Sequence, residues 1–582
     1  MAADAPGPPD DAERRRLTVR ALARVEGEGR LDVTVRSGAV EHARLDIYEP
    51  PRFFEAFLRG RDFREPPDIT SRICGICPVA YQVSACNALE QACGAIVDPR
   101  VRALRRLLYC GEWIASHTLH IYFLHAPDFL GVADSIELAR RDRAAVERGL
   151  ALKKAGNAIL ETIGGRPIHP VDVRVGGFYR APTRDELAPL ARTLRRALDH
   201  ALDTVRWVAG FDFPDVHLDP VLAALHDDAG YAIEDGVVRT SAGDRFPAAE
   251  FGDHVRERQV PESTALHARL DGAPYLTGPL ARYSLNSGQL TGAARDAASA
   301  AGLGRECRNP FRSIVVRSVE VTFAIEEALR IIDGYERPDP PCAPVTARAA
   351  TGHGVSEAPR GLLYHRYELA ADGTIRSADI VPPTAQNQDV IEADLTARIG
   401  EHLGLSDQEL TALCERIIRN HDPCISCATH FLDLRCRVGD RAGQCRRRTR
   451  QRVPADDGFG PAVARALRAR IPVTIPVTTV TDTADLLDVW AGARLAIVVD
   501  LVVPALLPPG RVRRWTLDDT PGPLDTHGVD VAAALALARV LGTAPKRVIV
   551  YATSSDDVGF GVHLSAAVRR AVEVTVAPSQ RK

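Results

Sequence analysis

The sequence predicts an α+β fold that is mainly helical and begins with an N-terminal β hairpin, followed by a separate C-terminal α/β domain. Three observations support this prediction. Residues from Leu17 to Tyr48 alternate between polar and apolar around Ser37-Gly38, as a hairpin does. The segment from Asp98 to about Tyr335 has helical periodicity and helix-capping residues. From Asp456 onward, helical and extended patterns alternate.

Local signals place the elements of the first part of the chain. A proline at the first helical position and a Thr-x-x-Glu capping box mark helix starts, and Asp-Gly favours a tight hairpin turn. In order, we expect a flexible tail (residues 1–16), a helix from Asp98-Pro99 past Trp113, a capping box at Thr183 and Glu186 before a helix over 187–208, a helix from Pro310 to Asp333, and a second hairpin at Asp372-Gly373.

The C-terminal part has a different pattern. An Arg-rich linker over residues 437–455 separates the main body, residues 17–436, from a domain over residues 456–582. Alternating helices and strands favour a largely parallel sheet. The predicted elements are a helix (Gly460 to Arg468), an extended segment (Val473 to Val480), a buried strand (Leu495 to Val503), a helix (Val529 to Leu541), a strand (Arg547 to Tyr551) and a helix from Leu564.

Composition limits the class of protein. The net charge of -3 gives no bias towards nucleic acid, which we do not expect as a partner. Twelve cysteines without a signal peptide favour a reducing compartment over a disulfide framework. Apolar runs fall well short of the ~20 residues that a membrane span needs. We therefore expect a cytoplasmic protein with no membrane span.

Two Cys-x-x-Cys elements, Cys74 with Cys77 and Cys424 with Cys427, are the strongest chemical signal. Either element alone is compatible with structural zinc. Zinc ribbons, however, place their two pairs roughly 15 to 20 residues apart, whereas these pairs are separated by about 350 residues. The spacing therefore favours a site that only the folded chain assembles, and thiolates suit soft or borderline transition metals.

The residues around these cysteines resemble the two signature motifs of nickel-iron hydrogenase large subunits. The first motif is Arg72-Ile-Cys74-Gly-Ile-Cys77, and the second is Asp422-Pro-Cys424-Ile-Ser-Cys427-Ala-Thr-His430. The resemblance implies that the four cysteines hold nickel. It also implies that Cys77 and Cys427 bridge to an iron with carbon monoxide and cyanide ligands, a Ni-Fe(CN)2(CO) centre.

Three further motifs resemble the same family. Arg24-Val-Glu26-Gly27 implies that Glu26 passes protons from a bridging cysteine. Arg52-Phe-Phe-Glu55 implies that Glu55, together with His430, holds a magnesium or iron ion. Pro359-Arg360-Gly361 implies that Arg360 lies over the open face of the metals, where its permanent charge can polarise hydrogen.

Each of these three side chains also has an ordinary interpretation. Glu26 could be a solvated strand residue, Glu55 an exposed helix carboxylate, and Arg360 a solvent-facing turn residue. Tyr81 departs from the family pattern, since many hydrogenases have histidine there. Tyr81 and the Ala428-Thr429-His430 ending point to the cytoplasmic NAD(P)-linked type.

The resemblance implies a reaction and a set of partners. The reaction is reversible heterolysis of H2 to protons and electrons, with Glu26, Arg360 and Cys427 as catalytic residues. The remaining cysteines lack ferredoxin-like spacing, so electrons need an iron-sulfur small subunit. Flavin and NAD(P) diaphorase subunits would then accept the electrons, and nickel-iron maturation factors would assemble the centre.

The C-terminal domain resembles the hydrogenase maturation endopeptidases. Asp456-Asp457-Gly458, Val499-Asp500 and Thr526-His527-Gly528 carry the resemblance, which implies that Asp457, Asp500 and His527 contact nickel. The family's first apolar strand is missing here, where Gly439 to Arg452 is Arg-rich. We expect cleavage after His430, in which the C-terminal domain itself could be the peptidase.

One alternative keeps the fold but changes the function. A scaffold subunit without hydrogenase activity would hold a structural zinc or no metal and carry a degenerate peptidase domain. A scaffold without metal would not need the four cysteines, and a structural zinc site would need neither Glu26 nor Arg360. Nickel with a near-equal amount of iron would support the hydrogenase interpretation.

Overall fold

The computed structural model divides the chain into two compact units, residues 1–433 and 434–582. The structure describes eight ranges of residues: 14–50, 52–429, 459–470, 475–480, 485–502, 510–517, 531–554 and 564–576.

A three-stranded antiparallel sheet begins the first unit, with strands β1 (Arg14–Val19), β2 (Gly29–Arg36) and β3 (Ala39–Ile47) in that order. The predicted hairpin is the β2–β3 part, and Ser37 and Gly38 form its turn with positive φ angles. Strand β1 corrects the predicted tail over residues 1–16, because Arg14 to Arg16 already pair with β2. The sheet shares its apolar core with the helix that precedes Cys424.

Helices follow the sheet, and their starts confirm the capping signals. Asp98 caps the long helix and accepts a hydrogen bond from the backbone N of Arg100. Thr183 and Glu186 form the predicted capping box. The elements are α1 (Phe54–Leu58), α2 (Pro66–Thr70), α3 (Pro78–Cys93), α4 (Pro99–Leu119), α5 (Ala126–Leu130), α6 (Ser135–Arg141), α7 (Arg143–Gly164), β4 (Val173–Arg174), β5 (Gly177–Phe178) and α8 (Arg184–Ala209).

Helices α4 and α7 pack closely along their length. A Cβ atom at Gly156 of α7 would lie 2.7 Å from the backbone N of Ala115 in α4, and one at Gly111 would lie 2.8 Å from Cβ of Ile159. Contacts under 3 Å are too short for side-chain carbon, so both positions require glycine. This close packing fixes α4, which carries Glu112, a residue that accepts hydrogen bonds from the start of α3.

A group of short strands interrupts the segment that the sequence predicts as mainly helical. The helical periodicity before and after it hides this insertion, because strands of two to six residues give little periodic signal. The elements are β6 (Val221–His226), β7 (Val237–Thr240), β8 (Arg245–Phe246), α9 (Phe251–His254), β9 (Val255–Gln259), β10 (Leu266–Leu270) and β11 (Tyr275–Leu276).

The last part of the first unit carries the second cysteine motif. The predicted helix from Pro310 begins with a 3-10 turn and becomes α-helical at Ser313. The predicted second hairpin is confirmed, with its turn at Asp372-Gly373. The elements are α10 (Pro279–Asn286), α11 (Gly292–Ala300), α12 (Ser313–Asp333), β12 (Ala350–Ala358), β13 (Gly361–Leu369), β14 (Ile375–Val381), α13 (Pro383–Glu401), α14 (Asp407–His421) and α15 (Ile425–Ala428).

The second unit combines helices with a mixed sheet. Its described elements are α16 (Phe459–Arg468), α17 (Leu486–Val489), β15 (Leu495–Val502), β16 (Arg513–Thr516), α18 (Val531–Val540), β17 (Arg547–Ser554) and α19 (Ala566–Val576).

The sheet of the second unit has the order β15-β17-β16. Strands β15 and β17 are parallel, as predicted, but β16 is antiparallel to β17 and was not predicted. Residues 475–480 lie outside the strands, although the sequence predicts an extended segment there. The predicted helices at Gly460, Val529 and Leu564 correspond to α16, α18 and α19.

Across the described ranges, every helix is too short or too polar to traverse a lipid bilayer.

Candidate metal centre

The two Cys-x-x-Cys elements meet in the interior of the first unit. The Sγ atoms of Cys74 and Cys424 lie 3.4 Å apart, and those of Cys77 and Cys427 are separated by the same distance. All four sulfur atoms lie within 4.8 Å of one another. Each of these side chains is at most 3% exposed. The fold therefore creates one buried four-sulfur cluster from segments 350 residues apart.

Glu112 holds the first motif in place, and the sequence analysis missed it. Cys77 is the N-cap of α3, and Pro78 is its first helical residue. The backbone N atoms of Val79 and Ala80 donate to the Glu112 carboxylate at 2.6 and 3.1 Å. A carboxylate there satisfies helix N-terminal donors that would otherwise be unpaired. The available sequence signal was a lone acidic residue within an apolar stretch of α4.

Glu26 lies against the second motif. Its backbone forms an isolated parallel bridge with Cys424, and its carbonyl accepts from the backbone N of Ile425 at 3.0 Å. Its side-chain Oε2 accepts from the backbone N of Ser426 at 3.1 Å. Glu26 is 2% exposed, so the interpretation as a solvated strand residue is wrong. The contacts place it at Cys424, whereas the motif resemblance implies a bridging cysteine as its partner.

The environment of Glu26 suits a group that exchanges protons. Burial, followed by the negative charge of Cys74, raises the pKa of Glu26 to about 7. Hydrogen bonds from Ser426 and Cys424 act in the opposite direction. A carboxyl group with a pKa near neutrality can both accept and release protons at ordinary pH.

Gly27 allows this close approach. Its φ angle is +89°, and a Cβ atom there would lie 2.5 Å from Cβ of Ile425 and 2.7 Å from Oε1 of Glu49. Gly38 has a similar φ of +76°, but a Cβ atom there would meet nothing within 4 Å. The two glycines therefore share a left-handed backbone conformation and differ in the space around them.

We expect Gly27→Ala to prevent assembly of the metal centre and Gly38→Ala to permit it. Both changes force alanine into a left-handed conformation, which costs about 1–2 kcal/mol. At Gly27, the methyl group would also displace Ile425, which lies inside the second cysteine motif. Metal analysis of the two purified variants measures the difference. Equal metal content in both would contradict the steric argument.

Arg360 is also buried at the cluster. It is 2% exposed, so it is not a solvent-facing turn residue. Its Nε donates to the Asp422 carbonyl at 2.9 Å, and Nη2 donates to Oδ1 of Asp422 at 3.0 Å. Although burial lowers its pKa, the charges of Asp422 and the cysteines raise the pKa of Arg360 well above its ordinary value. Nη1 makes no hydrogen bond to any described residue.

Glu55 is buried as well, at 7% exposure, so the interpretation as an exposed helix carboxylate is wrong. Its Oε1 accepts from the backbone N of Ile380 at 2.7 Å. Nearby in sequence, the backbone N of Arg52 donates to the Thr429 carbonyl at 2.8 Å. The segment that carries Glu55 thus contacts the residue before His430. His430 lies outside the described residues, so the predicted pairing of the two side chains stays a prediction.

Tyr81 also lies near the cluster. It follows Cys77 by one helical turn on α3 and is 1% exposed. Burial, followed by the nearby charge of Cys427, raises the pKa of Tyr81 well above its ordinary value. Unlike a histidine, this phenol therefore stays neutral at ordinary pH.

The four thiols fit a thiolate-bound metal. Burial raises the pKa of Cys424 and Cys427, whereas hydrogen bonds from neighbouring thiols lower that of Cys74. Four thiolates so close together in a buried volume need positive charge between them. Four sulfur donors suit zinc, nickel or iron. The unpaired Nη1 donor of Arg360 and the buried Glu26, whose pKa is raised to about 7, are features that a purely structural zinc site does not need.

The predicted nickel-contacting residues of the second unit are mostly untested. Asp500 lies on β15 and is exposed. Asp457 and His527 lie outside the described residues, so the grouping of the three side chains stays a prediction.

Two protein families match the chain. The family described as Nickel-dependent hydrogenase matches residues 52–166 and 300–430. The family described as Hydrogenase maturation protease matches residues 479–578. The second match begins after the segment where the sequence analysis noted the missing first strand.

Similar proteins extend the first match over nearly their whole length. Sulfhydrogenase 1 subunit alpha from Pyrococcus furiosus is 31% identical over 422 residues, which cover 72% of this chain and 98% of that protein. NAD-reducing hydrogenase HoxS subunit beta from Cupriavidus necator is 26% identical, and the match covers 74% of this chain and 98% of that protein. A crystal structure of an NAD+-reducing NiFe hydrogenase in the H2-reduced state matches with a TM-score of 0.64 at 26% identity, covering 72% of this chain and 99% of that one.

These matches confirm the resemblance drawn from the motifs, and they do not favour the scaffold alternative. The sequence identity extends well beyond the cysteine motifs, and the structural match covers the same share of the chain. The chain therefore belongs to the nickel-dependent hydrogenase family, as a large, catalytic subunit that continues into a hydrogenase maturation protease domain.

Proposed function

We propose that this chain splits H2 reversibly into protons and electrons at a Ni-Fe(CN)2(CO) centre held by Cys74, Cys77, Cys424 and Cys427. The observation that carries this proposal is the convergence of four buried thiols beside a buried carboxyl group and a buried guanidinium. All four cysteines would hold the two metals, and the motif resemblance assigns Cys77 and Cys427 to both of them. Glu55 and His430 hold a nearby magnesium or iron ion.

Two buried side chains have different roles in this proposal: Arg360 supplies a positive charge, and Glu26 transfers protons. When bound, the nickel-iron pair supplies the Lewis acidity that polarises H2. Arg360 keeps a fixed positive charge at the cluster because Asp422 holds it on two sides. Glu26 accepts the proton and hands it on. The motif resemblance implies that Glu26 takes its proton from a bridging cysteine, whereas the contacts of Glu26 favour Cys424 as the thiol that gives it the proton.

Metal analysis of the purified protein, together with an H2 uptake assay, tests this function. We expect nickel and iron in near-equal amounts and H2-dependent reduction of an artificial dye. Zinc alone, with no H2 uptake, would overturn the proposal. The measurement needs protein from cells that express the hydrogenase maturation factors, because the chain does not build the centre by itself.

Electrons leave through a partner subunit in this proposal. The residues that the structure describes contain one group of His, Cys, Asp or Glu side chains placed to hold a metal, the four-cysteine cluster. An iron-sulfur small subunit would supply the onward path, followed by a flavin and NAD(P) module. The similarity to a subunit of an NAD-reducing hydrogenase supports this acceptor. Co-purification of the chain with iron-sulfur and flavin subunits tests it.

The C-terminal domain would act as the peptidase that removes the extension after His430 from the hydrogenase part of this polypeptide. Its match to the maturation protease family over residues 479–578 supports cleavage after His430, with Asp500 and His527 sensing nickel. Asp457 precedes the matched range and joins these two residues on the resemblance of its motif. Removal of the extension would free the end of the second cysteine motif to close over the metals. The domain could act on its own chain or on a neighbouring one.

We expect active enzyme to end at His430 and His527→Ala protein to stay full length. The imidazole at position 527 would be a nickel contact, and its loss should block the peptidase. Intact-mass measurement of both proteins reads the result, and His563→Ala in the same domain serves as the control. A full-length chain in the active wild-type enzyme would rule out the requirement for cleavage.

A further inference from the structure

Arg282 is a fully buried cation on α10, with 0% of its surface exposed. A guanidinium carries five N–H donors in a fixed planar fork. Three of those donors bind carboxyl groups. Nε and Nη2 donate to the two oxygens of Glu320 at 2.8 and 2.9 Å, and Nη1 donates to Oε2 of Glu357 at 3.0 Å. Arg282 therefore joins α10 to α12, which carries Glu320, and to β12, which carries Glu357.

The other two donors of Arg282 bind the backbone of the segment that leads into Arg360. Nη1 also donates to the Ala358 carbonyl at 2.8 Å, and Nη2 donates to the Pro359 carbonyl at 3.0 Å. These two residues directly precede Arg360. Hydrogen bonds from an ionised donor are roughly twice as strong as neutral ones. Arg282 thus fixes the backbone before Arg360, while Asp422 fixes the guanidinium of Arg360 itself.

The start of α10 packs against the same loop. Gly278, the N-cap of α10, has a φ of +106°, and a Cβ atom there would lie 2.6 Å from the Arg360 carbonyl oxygen. The backbone N of Leu362 donates to Oγ1 of Thr277 at 2.9 Å. The chain is therefore held before, at and after position 360 by residues from the beginning of α10, with Arg282 one helical turn beyond Gly278.

We propose that Arg282 is a positioning residue for Arg360. This inference rests on the proposed function, in which the charge of Arg360 acts at the metals. All five N–H groups of Arg282 have partners, so none remains to bind a substrate. Its effect reaches the site through the Ala358 and Pro359 carbonyl groups. By fixing this backbone, Arg282 sets the place of the Arg360 Nη1 group, which makes no hydrogen bond to any described residue.

The competing interpretation is purely structural: Arg282 would only balance the charges of Glu320 and Glu357 in the core. Arg282→Lys tests this, because lysine keeps the positive charge but cannot reproduce the planar fork that reaches both carboxyl groups and both carbonyl groups. Combining it with Arg360→Lys gives a double-mutant cycle. Residues that act through one another have non-additive effects, whereas independent ones add.

Tyr231→Phe is the matched control. The Tyr231 hydroxyl donates to Oε1 of Glu320 at 2.9 Å, so its removal disturbs the same buried cluster. It leaves the bonds from Arg282 to the loop carbonyl groups in place. A general weakening of the cluster would therefore affect this variant too, whereas a loss of positioning would not.

The experiment uses the assembled enzyme with each substitution. It measures nickel and iron content, kcat and KM for H2 with an artificial dye, and the infrared bands of the carbon monoxide and cyanide ligands. We expect Arg282→Lys to keep both metals, to shift the bands and to lose at least ~10-fold in kcat/KM, since a misplacement of about 1 Å can cost about 10²-fold. In an Arg360→Lys background, Arg282→Lys should change neither quantity further. Tyr231→Phe should match the wild type.

Two results would overturn this role. One is a metal-replete Arg282→Lys enzyme with wild-type kcat/KM and infrared bands. The other is an equal loss with and without Arg360→Lys, which would make the effect of Arg282 independent of Arg360.

If Arg282→Lys fails to hold its metals, Glu320→Gln decides. This change loosens Arg282 from α12 and leaves the loop residues unaltered. A loss of kcat/KM that disappears in the Arg360→Lys background would support the positioning role. An additive loss, or none, would overturn it. A wild-type enzyme without nickel or H2 turnover would instead contradict the proposed function.

Discussion

Cys427→Ser is expected to leave the purified enzyme with almost no nickel and no H2 turnover. Its Sγ lies 3.4 Å from that of Cys77 inside a cluster that spans at most 4.8 Å. A serine hydroxyl stays protonated at ordinary pH and binds soft metals poorly. Loss of a mere outer-shell partner already costs 10–100-fold in metal affinity, so loss of a direct ligand should cost more. Metal analysis and dye reduction under H2 measure both effects.

Cys93→Ser provides the matched control for this prediction. Cys93 ends α3, the helix that begins directly after Cys77, and it is half-buried. The control should keep its nickel, iron and H2 turnover. If Cys427→Ser retained wild-type metal content and turnover, the assignment of the cluster as the catalytic centre would fail.

Glu26→Gln is expected to keep both metals and lose about 10²–10⁴-fold in H2 turnover, the range that general acid–base groups contribute. Glutamine can still accept the hydrogen bond from the Ser426 backbone through its amide oxygen, so the local structure should persist. It cannot exchange a proton, whereas burial raises the pKa of Glu26 to about 7 and suits it to that task. Turnover and H2/D2O exchange, set against metal content, measure the loss.

Glu28→Gln is the control, because it removes the same charge two residues away on an exposed side chain. A Glu26→Gln enzyme that exchanges isotopes at the wild-type rate would show that protons leave by another route. An enzyme that loses its metals would show that Glu26 stabilises the centre. Neither result would affect the family assignment, which rests on the chain as a whole.

Several features of the fold were accessible from local signals. The hairpin turn at Ser37-Gly38, the Asp98 cap and the Thr183 capping box were all predicted, because each depends on residues only a few positions apart. The short strands between Val221 and Leu276 were missed, since strands of two to six residues give little periodic signal and β11 pairs with β6 from a distant part of the sequence. The antiparallel strand β16 was missed for the same reason.

For the site, too, the sequence predicted features that depend on neighbouring residues and missed contacts between distant ones. Motifs with short spacing identified the cysteines, Glu26, Glu55 and Arg360 as candidates. The sequence did not reveal that Glu112 accepts hydrogen bonds from the start of α3 or that Asp422 accepts them from Arg360. Nor did it connect Glu49 to Ser426. Each of these contacts joins residues from separate elements, and no local pattern encodes such a pair.

The sequence by itself determined the chemistry of this protein: two thiol pairs, their order along the chain, and a second domain of a different class. Only the tertiary structure decided that the pairs meet, that Glu26 and Arg360 are buried beside them, and which cysteine Glu26 contacts. The physical reason is distance along the chain. A Cys-x-x-Cys pair is fixed by one turn of backbone, whereas bringing together sulfur atoms 350 residues apart depends on the packing of the entire first unit.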